Sequence, residues 1–340
     1  MTKKLRFLIY LIGLGSVAFS SNSVADYSAH PEALLVIEEL VAEEGLDAEQ
    51  LTKVLAQAEK RQSIIDAMNR PAEKTFTWGR YRNIFLKDAR IDSGVDFWLE
   101  NAQVLQQAER EFGIPAEVMV AIIGVETLYG GNTGSYPVID ALSTLAFDYP
   151  KRAPFFRSEL KHFLILTSEQ GQNPIDFKGS YAGAMGLGQF MPSSYRAYAR
   201  SYQDDGFIDI WNDTSDAIWS VGNYLKAHGW RPSQGIASRV VTETEINPDA
   251  VSAGLKPDLT VEDLVSAGID SDLSNAPEGL ATLMALEGEE GMEHWIGWQN
   301  FYVITRYNHS ALYAMAVFQL AEAIRETREH KMSILGAEKS

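Results

Sequence analysis

The run Pro115-Ala-Glu-Val-Met-Val-Ala-Ile-Ile-Gly-Val-Glu-Thr-Leu-Tyr-Gly130 decides how this 340-residue chain is read. Pro115 suits a first helical turn, and Glu117 sits favourably near the positive end of the helix dipole. From Val118 to Val125 no polar side chain interrupts, the pattern of a helix buried on most of its circumference. The run then ends on Glu126. Burying an unpaired carboxyl disfavours its charged form, so Glu126 reads either as a proton donor or as a carboxylate ion-paired to a nearby arginine.

Two further segments narrow that choice. Lys178-Gly-Ser-Tyr-Ala-Gly-Ala-Met-Gly-Leu-Gly-Gln-Phe-Met-Pro-Ser-Ser-Tyr195 is a loop whose four glycines let backbone approach a ligand, followed by a Pro-Ser-Ser helix start. Its order, Gly183-x-x-Gly186-x-Gly188 with no Gly-Lys-Ser/Thr after it, fails both nucleotide fingerprints. Asn300 to Val317 places Tyr307, Asn308 and Tyr313 at the start of another apolar helix, and polar groups with tyrosines suit sugar rings.

Taken in order, Gly-Val-Glu-Thr, then Gly-Ser-x-Ala-Gly-Ala-Met-Gly-x-Gly-Gln-Phe-Met-Pro-Ser-Ser-Tyr, then Arg-Tyr-Asn-His-Ser closely resembles the lytic murein transglycosylase B family, from about residue 31 to about residue 326. The stretch Ala141-Leu-Ser-Thr-Leu-Ala-Phe-Asp-Tyr-Pro150 strengthens the likeness. The resemblance implies a mainly α fold with a lysozyme-like core. It also implies cleavage of the β-1,4 bond between N-acetylmuramic acid and N-acetylglucosamine in peptidoglycan, without water, leaving a 1,6-anhydromuramoyl end. An ordinary glycosidase needs two carboxyls. Here Glu126 would serve twice, first protonating the leaving oxygen and then taking the proton of the muramoyl C6 hydroxyl as it closes onto C1. Its own segment offers no second acid, the nearest downstream being Asp140.

Other roles follow from the same resemblance. Ser180 would bond near the carboxyl or the sugar, Gln189 would hold an N-acetyl or hydroxyl group, and Asn308 with Tyr307 would orient Glu126 and the glycan. Tyr224 and Tyr313 match further groove tyrosines. Each has a plainer reading as a backbone cap or packing residue. Met185 and Phe190 read as packing. The resemblance also covers an EF-hand-like loop, Ser201 to Asn212. Ser201, Gln203, Asp205, Gly206, Asp209 and Asn212 stand at its first, third, fifth, sixth, ninth and twelfth places, and Asp216 matches a later ligand. The standard loop begins with a carboxylate and ends with a bidentate Glu, so only part of the donor set survives. The metal candidates are therefore Gln203, Asp205, Asp209 and Asp216, for a calcium ion that is structural, with no cofactor required for chemistry.

Lys3, Lys4 and Arg6 precede an apolar run from Phe7 to Phe19, and Ser23-Val24-Ala25 before Asp26 reads as a signal-peptidase site. The run is too short for a transmembrane helix with these flanks. Removing residues 1–25, which carry those three cations and no acid, takes the net charge from −17 to −20 on 315 residues. Such acidity argues against nucleic acid or anionic lipid as a partner. The chain has no cysteine, hence no disulfide and no residue for a lipid anchor. The expectation is a periplasmic protein exported by a cleaved signal, with peptidoglycan strands as partner and wall-synthesis or wall-remodelling proteins as further candidates.

The expected organisation is a signal peptide (1–25), an N-terminal helical domain (26–100), a first part of the catalytic core (101–232), a small β-containing insertion (233–299), and a second part of the core with a C-terminal helix (300–340). Leu34, Leu35, Ile37, Leu40 and Val41, then Leu51, Val54, Leu55 and Ala58, recur at helical spacing. Arg239 to Ile246 alternates like a strand, and Glu287-Gly-Glu-Glu-Gly291 reads as a hairpin turn between strand-like runs ending near Val303. Trp219, Trp230, Trp295 and Trp298 are candidates to line the groove, but their helical or strand spacing favours core packing. The six histidines form no zinc helix, and no Gly-x-Ser-x-Gly elbow is present. Two rival readings stay open: a lysozyme-type muramidase using a second acid such as Asp140 or Asp148, and a catalytically silent peptidoglycan-binding protein.

Overall fold

The computed structural model describes residues 26–69, 76–204, 206–242, 246–252, 254–269, 273 and 276–337. The signal-peptide reading lies outside them. After a 3-10 turn at Tyr27–Ala29, the described residues continue with three short helices, α1 (Pro31–Glu44), α2 (Ala48–Gln57) and α3 (Gln62–Met68). Asp47 caps α2 through the Gln50 N–H, and Gly45 ends α1 in the left-handed region, φ 68°. Next come α4 (Trp78–Phe85), α5 (Asp88–Glu100) and α6 (Ala102–Phe112).

Helix α7 (Ala116–Thr127) is the apolar run of the opening motif, and Pro115 stands at its N-cap rather than inside its first turn. Val118 through Gly124 are all buried, so no face of that stretch meets solvent. The run requires enclosure, and α5, α6, α11 (Thr214–Ala227) and α14 (Ala311–Ala337) supply it. Beside this bundle, α8 (Val138–Asp148) and α9 (Ala153–Glu169) pack together, with α10 (Pro192–Tyr198) against α9. The N-terminal helices lie across that pair, α1 on α9 and α3 on α8.

Two acids of α8 fasten those N-terminal helices. Asp140, 3% exposed, accepts the Glu59 N–H and the Arg61 guanidinium, each at 2.9 Å. Asp148 accepts the Tyr27 phenol at 2.6 Å and pairs with Lys60.

The remaining strands form two small antiparallel sheets. One is the two-residue pair β1 (Tyr136–Pro137) and β2 (Lys178–Gly179). The other has the order β3 (Ala237–Arg239), β5 (Met292–Gly297), β4 (Thr282–Glu287). Side chains alternate across this sheet. Leu283 and Ile296 enter a second core with Leu264 of α12 (Val261–Ser266), Ile269 and Trp298, while Met284, Leu286 and Trp295 join the main core. The hairpin turn falls at Gly288–Gly291, closed by the Gly288 N–H to the Gly291 carbonyl at 2.9 Å. Its tip rests on α4: a Cβ on Gly79 would stand 2.7 Å from the Glu289 nitrogen, and the Asn83 amide donates to the Glu289 carboxylate.

Three expectations are corrected. The strand expected over Arg239–Ile246 ends at Arg239; the Val240 N–H still reaches the His294 carbonyl, residues 243–245 lie outside the described residues, and Val240 and Ile246 are both buried in the second core. The strand-like run expected to reach Val303 stops at Gly297. Gln299–Tyr307 is instead helix α13, whose Asn300, Phe301, Val303, Ile304 and Thr305 are buried. Tyr307 therefore ends a helix instead of starting one. The four tryptophans pack as expected: Trp230, Trp295 and Trp298 are buried, and Trp219 meets Phe112 edge-on at 5.0 Å.

If Asp140 holds α3 to α8, Asp140→Ala should lower unfolding free energy by about 1–3 kcal/mol, the cost of leaving buried donors unpaired. Urea denaturation at neutral pH checks this, and an unchanged midpoint would show that the anchor is dispensable.

Candidate active site

Where α7 runs out of apolar enclosure, Glu126 emerges half-buried. Tyr313, in the first turn of α14 and only 2% exposed, donates its phenol proton to Glu126 Oε1 at 2.6 Å. The two residues are 187 positions apart, so tertiary packing alone brings them together. This donor is a neutral phenol rather than a charged group. Burial, with the Glu126 charge acting in the same direction, holds the Tyr313 phenol well above the ordinary range, so it stays a donor.

Behind Tyr313 stands a stack of rings. Tyr307 lies nearly parallel to Tyr313, with centroids 6.5 Å apart and planes at 11°. Tyr224 meets Tyr307 at 4.7 Å, and Phe190 touches both, at 5.7 Å from Tyr224 and 5.8 Å from Tyr307. Their hydroxyls donate to backbone: Tyr307 to the Gly188 carbonyl and Tyr224 to the Arg306 carbonyl, each at 2.6 Å. Tyr224 is buried and serves as backing for Tyr307. Asn308 is the C-cap of α13 with extended backbone, φ −140°, and joins α13 to α14, so its expected place at a helix start is corrected.

The glycine loop faces this corner and is fixed by its own backbone. Gly134, φ 94°, lies so close to β2 that a Cβ there would stand 2.1 Å from the Gly179 oxygen. Ser180 Oγ accepts the Ala182 and Ala184 N–H groups at 3.3 and 3.1 Å, which leaves its hydroxyl proton to donate. Gln189 takes a left-handed backbone, φ 49°, a costly conformation for a non-glycine residue. Its amide nitrogen donates to the Thr133 and Gly186 carbonyls at 3.1 and 3.0 Å. Two carbonyl partners fix which end of the amide is nitrogen and leave Oε1 as the acceptor.

Thr127 and Tyr81 were missed from the sequence. The Thr127 hydroxyl, fully buried, donates to the Leu187 carbonyl at 2.9 Å and accepts the Gly130 N–H at 3.1 Å, stapling the end of α7 to the glycine loop. A lone hydroxyl in an otherwise apolar helix was the available signal. Tyr81, buried in α4, lies near enough to Tyr313 to add to the upward push on its phenol, a contact across elements with no local signature.

The EF-hand-like loop lies behind the glycine loop, since the Leu187 N–H donates to the Ile210 carbonyl at 2.9 Å. Asp216, buried, closes it by accepting the Tyr202 and Asp209 N–H groups, at 2.7 and 2.8 Å. The Asp209 carboxylate accepts the Trp211 and Asn212 N–H groups and the Asn212 amide. Gln203 is exposed, and Asp205 lies outside the described residues. Among the described residues no three acid, cysteine or histidine side chains converge as metal ligands.

The sequence model of a family described as "Transglycosylase SLT domain" matches residues 30–322. The chain belongs to the SLT transglycosylase family. Within it, the chain is 39% identical to the membrane-bound lytic murein transglycosylase B of Escherichia coli K12 over 312 residues, covering 89% of this chain and 85% of that relative. It is 49% identical to the catenated lytic transglycosylase SltB1 of Pseudomonas aeruginosa, with a TM-score of 0.85, covering 89% of this chain and 100% of that one. Its identity to the Escherichia coli lytic transglycosylase Slt35, solved in complex with calcium, is 40%, with a TM-score of 0.80, covering 89% of this chain and 95% of that one. The mainly α, lysozyme-like core expected from the sequence is the fold this SLT transglycosylase shares with these neighbours. Among its described residues no helix is long and apolar enough to cross a membrane.

Burial holds the phenols of Tyr129, Tyr195, Tyr224, Tyr307 and Tyr313 above their ordinary value. An unfolded chain releases those protons near pH 10 while the folded chain keeps them, so the unfolded state binds fewer protons above that pH and stability declines. The melting temperature should therefore fall steeply as pH rises past about 10, less so in Tyr313→Phe. A midpoint that stays level to roughly pH 11 would contradict the assignment.

Proposed function

We infer that this protein is a peptidoglycan lytic transglycosylase that cleaves the β-1,4 bond between N-acetylmuramic acid and N-acetylglucosamine, with Glu126 as acid and then base. The observation that carries this reading is the 2.6 Å hydrogen bond from Tyr313 to Glu126, a carboxyl served by a neutral donor at the junction of α7 and α14. A phenol that keeps its own proton steadies one carboxylate oxygen without removing the group's capacity to exchange a proton.

In the proposed sequence, the Glu126 proton moves to the glycosidic oxygen as the C1–O bond breaks, releasing the N-acetylglucosamine 4-hydroxyl. The substrate's N-acetyl group stabilises the cationic carbon. The muramoyl C6 hydroxyl then bonds to C1, and its proton returns to Glu126. No water is consumed. The free acceptor Oε1 of Gln189 suits an amide N–H or sugar hydroxyl, and the Ser180 hydroxyl suits an acceptor oxygen of the N-acetyl group. Tyr307 and Asn308, at the α13–α14 junction, border the sugar, with Tyr224 supporting Tyr307.

The muramidase reading named two candidate second acids. Both are engaged elsewhere, Asp140 by Glu59 and Arg61, and Asp148 by Tyr27 and Lys60. We read residues 1–25 as an export signal and the periplasm as the site of action. A calcium ion in the Ser201–Asp216 loop would be structural, without a part in the chemistry.

Mass spectrometry of muropeptides released from purified peptidoglycan tests the reaction. Products should be about 18 Da lighter than hydrolytic ones, the mass of the water an ordinary glycosidase adds. Reducing ends would mean a hydrolase, and no release would mean a binding protein. Glu126→Gln should abolish turnover while keeping glycan binding. Tyr313→Phe should cost about ten- to a hundred-fold in kcat, the range governed by a hydrogen bond to a charged group, with KM nearly unchanged. Chelation should leave turnover intact, and activity lost to chelator and restored by calcium would give the ion a larger role.

A further inference from the structure

The turn that follows Glu126 is strained and is held from outside. Leu128 and Tyr129 both take left-handed backbone, φ 52° and 58°. Two successive non-glycine residues in that region persist only where the surroundings over-determine them, and such strain gathers at functional sites. The surroundings here are α5. Arg90 Nη1 donates to the Gly124 carbonyl at 3.1 Å, the same oxygen that accepts the Leu128 N–H. The Tyr129 phenol donates back to the Arg90 carbonyl at 3.0 Å.

Packing tightens this exchange. The Tyr129 ring lies so close to two helices that a Cβ on Gly124 would stand 2.6 Å from ring carbons, and one on Gly94 would stand 2.5 Å from the phenol oxygen. Phe97 of α5 flanks the ring at 5.5 Å. The half-buried Arg90 guanidinium sits 5.0 Å from the Phe85 ring centroid. Helix α5 also packs on α14, where Ile324 would meet a Cβ on Gly94 at 2.6 Å. One element therefore locates both helices whose side chains form the Glu126–Tyr313 bond.

We propose that Arg90 and Tyr129 are positioning residues, whose reciprocal bonds hold the last turn of α7 in the backbone arrangement that aims the Glu126 carboxyl at Tyr313 and at the substrate oxygen. This rests on the reading of Glu126 as the acid. The bonds run to backbone of the turn, so their loss displaces the carboxyl rather than changing the chemical nature of its partner. A displacement of this kind impairs the chemical step more than ground-state binding.

The test compares Tyr129→Phe, Arg90→Lys and their double variant with Glu126→Gln, each in the full chain, for kcat and KM on purified peptidoglycan and for thermal midpoint. Tyr129→Phe removes one oxygen and keeps the ring, so it reports even if Arg90→Lys folds poorly. Lysine keeps the charge but lacks the planar fork that reaches the Gly124 carbonyl. Each single variant should lose about ten- to a hundred-fold in kcat, as misplaced reacting groups do, with KM within about two-fold. The double variant should lose little more than either single one, because the two bonds act as a unit. Wild-type kcat in both single variants beside an inactive Glu126→Gln would overturn the brace alone. So would losses in kcat that merely track the folded fraction. A Glu126→Gln enzyme that still turns over would instead overturn the acid assignment, and the brace with it.

Discussion

A helix without a polar face has to be enclosed on every side, and α7 is the constraint around which the larger core is arranged. α5, α6, α11 and α14 each bury part of it, and the glycine loop meets its end through Thr127 and Leu187. Glu126 lies where that enclosure stops. A carboxylate at such a boundary is only partly solvated, and the donor it receives, the Tyr313 phenol, comes from the same helix that seals one flank of α7. Burial of α7 and presentation of its acid are thus a single geometric arrangement, and any shift of α14 alters both.

The parts of the candidate site legible in the sequence were those whose residue types are unusual for their surroundings. An acid ending an apolar helix, a Gln among glycines and tyrosines in an apolar segment all conflict with ordinary core-building, and the conflict marks them. Thr127, Tyr81, Arg90 and Tyr129 passed unnoticed because each looks ordinary locally and matters through a partner on another element. The helix–strand errors have a similar origin. Phe301 to Ile304 is apolar enough for either state, and the α13 assignment depends on which side faces the main core. Val240 and Ile246 fit the alternation of a strand, yet both are buried in the second core, a placement that periodicity alone does not encode.

Leu187 links two regions that the sequence kept separate. Its carbonyl receives the Thr127 hydroxyl and its N–H reaches Ile210, so the end of α7 is tied through one residue to the loop closed by Asp216. Two N–H groups from separate parts of that loop converge on one buried carboxylate, which gives it a fixed shape by hydrogen bonding. Asp216 is the carboxylate that draws this stretch of chain together.

The 187-residue separation between Glu126 and Tyr313 bears on how the molecule comes to exist. As the chain is made, α7 appears early and stays without one of its covering helices until α14 emerges near the C-terminus. Contacts of such sequence separation are slow to form, and apolar segments left waiting for them are prone to associate with one another. Until its final segment is in place, the nascent polypeptide carries an apolar helix with one flank uncovered and lacks the Glu126–Tyr313 bond.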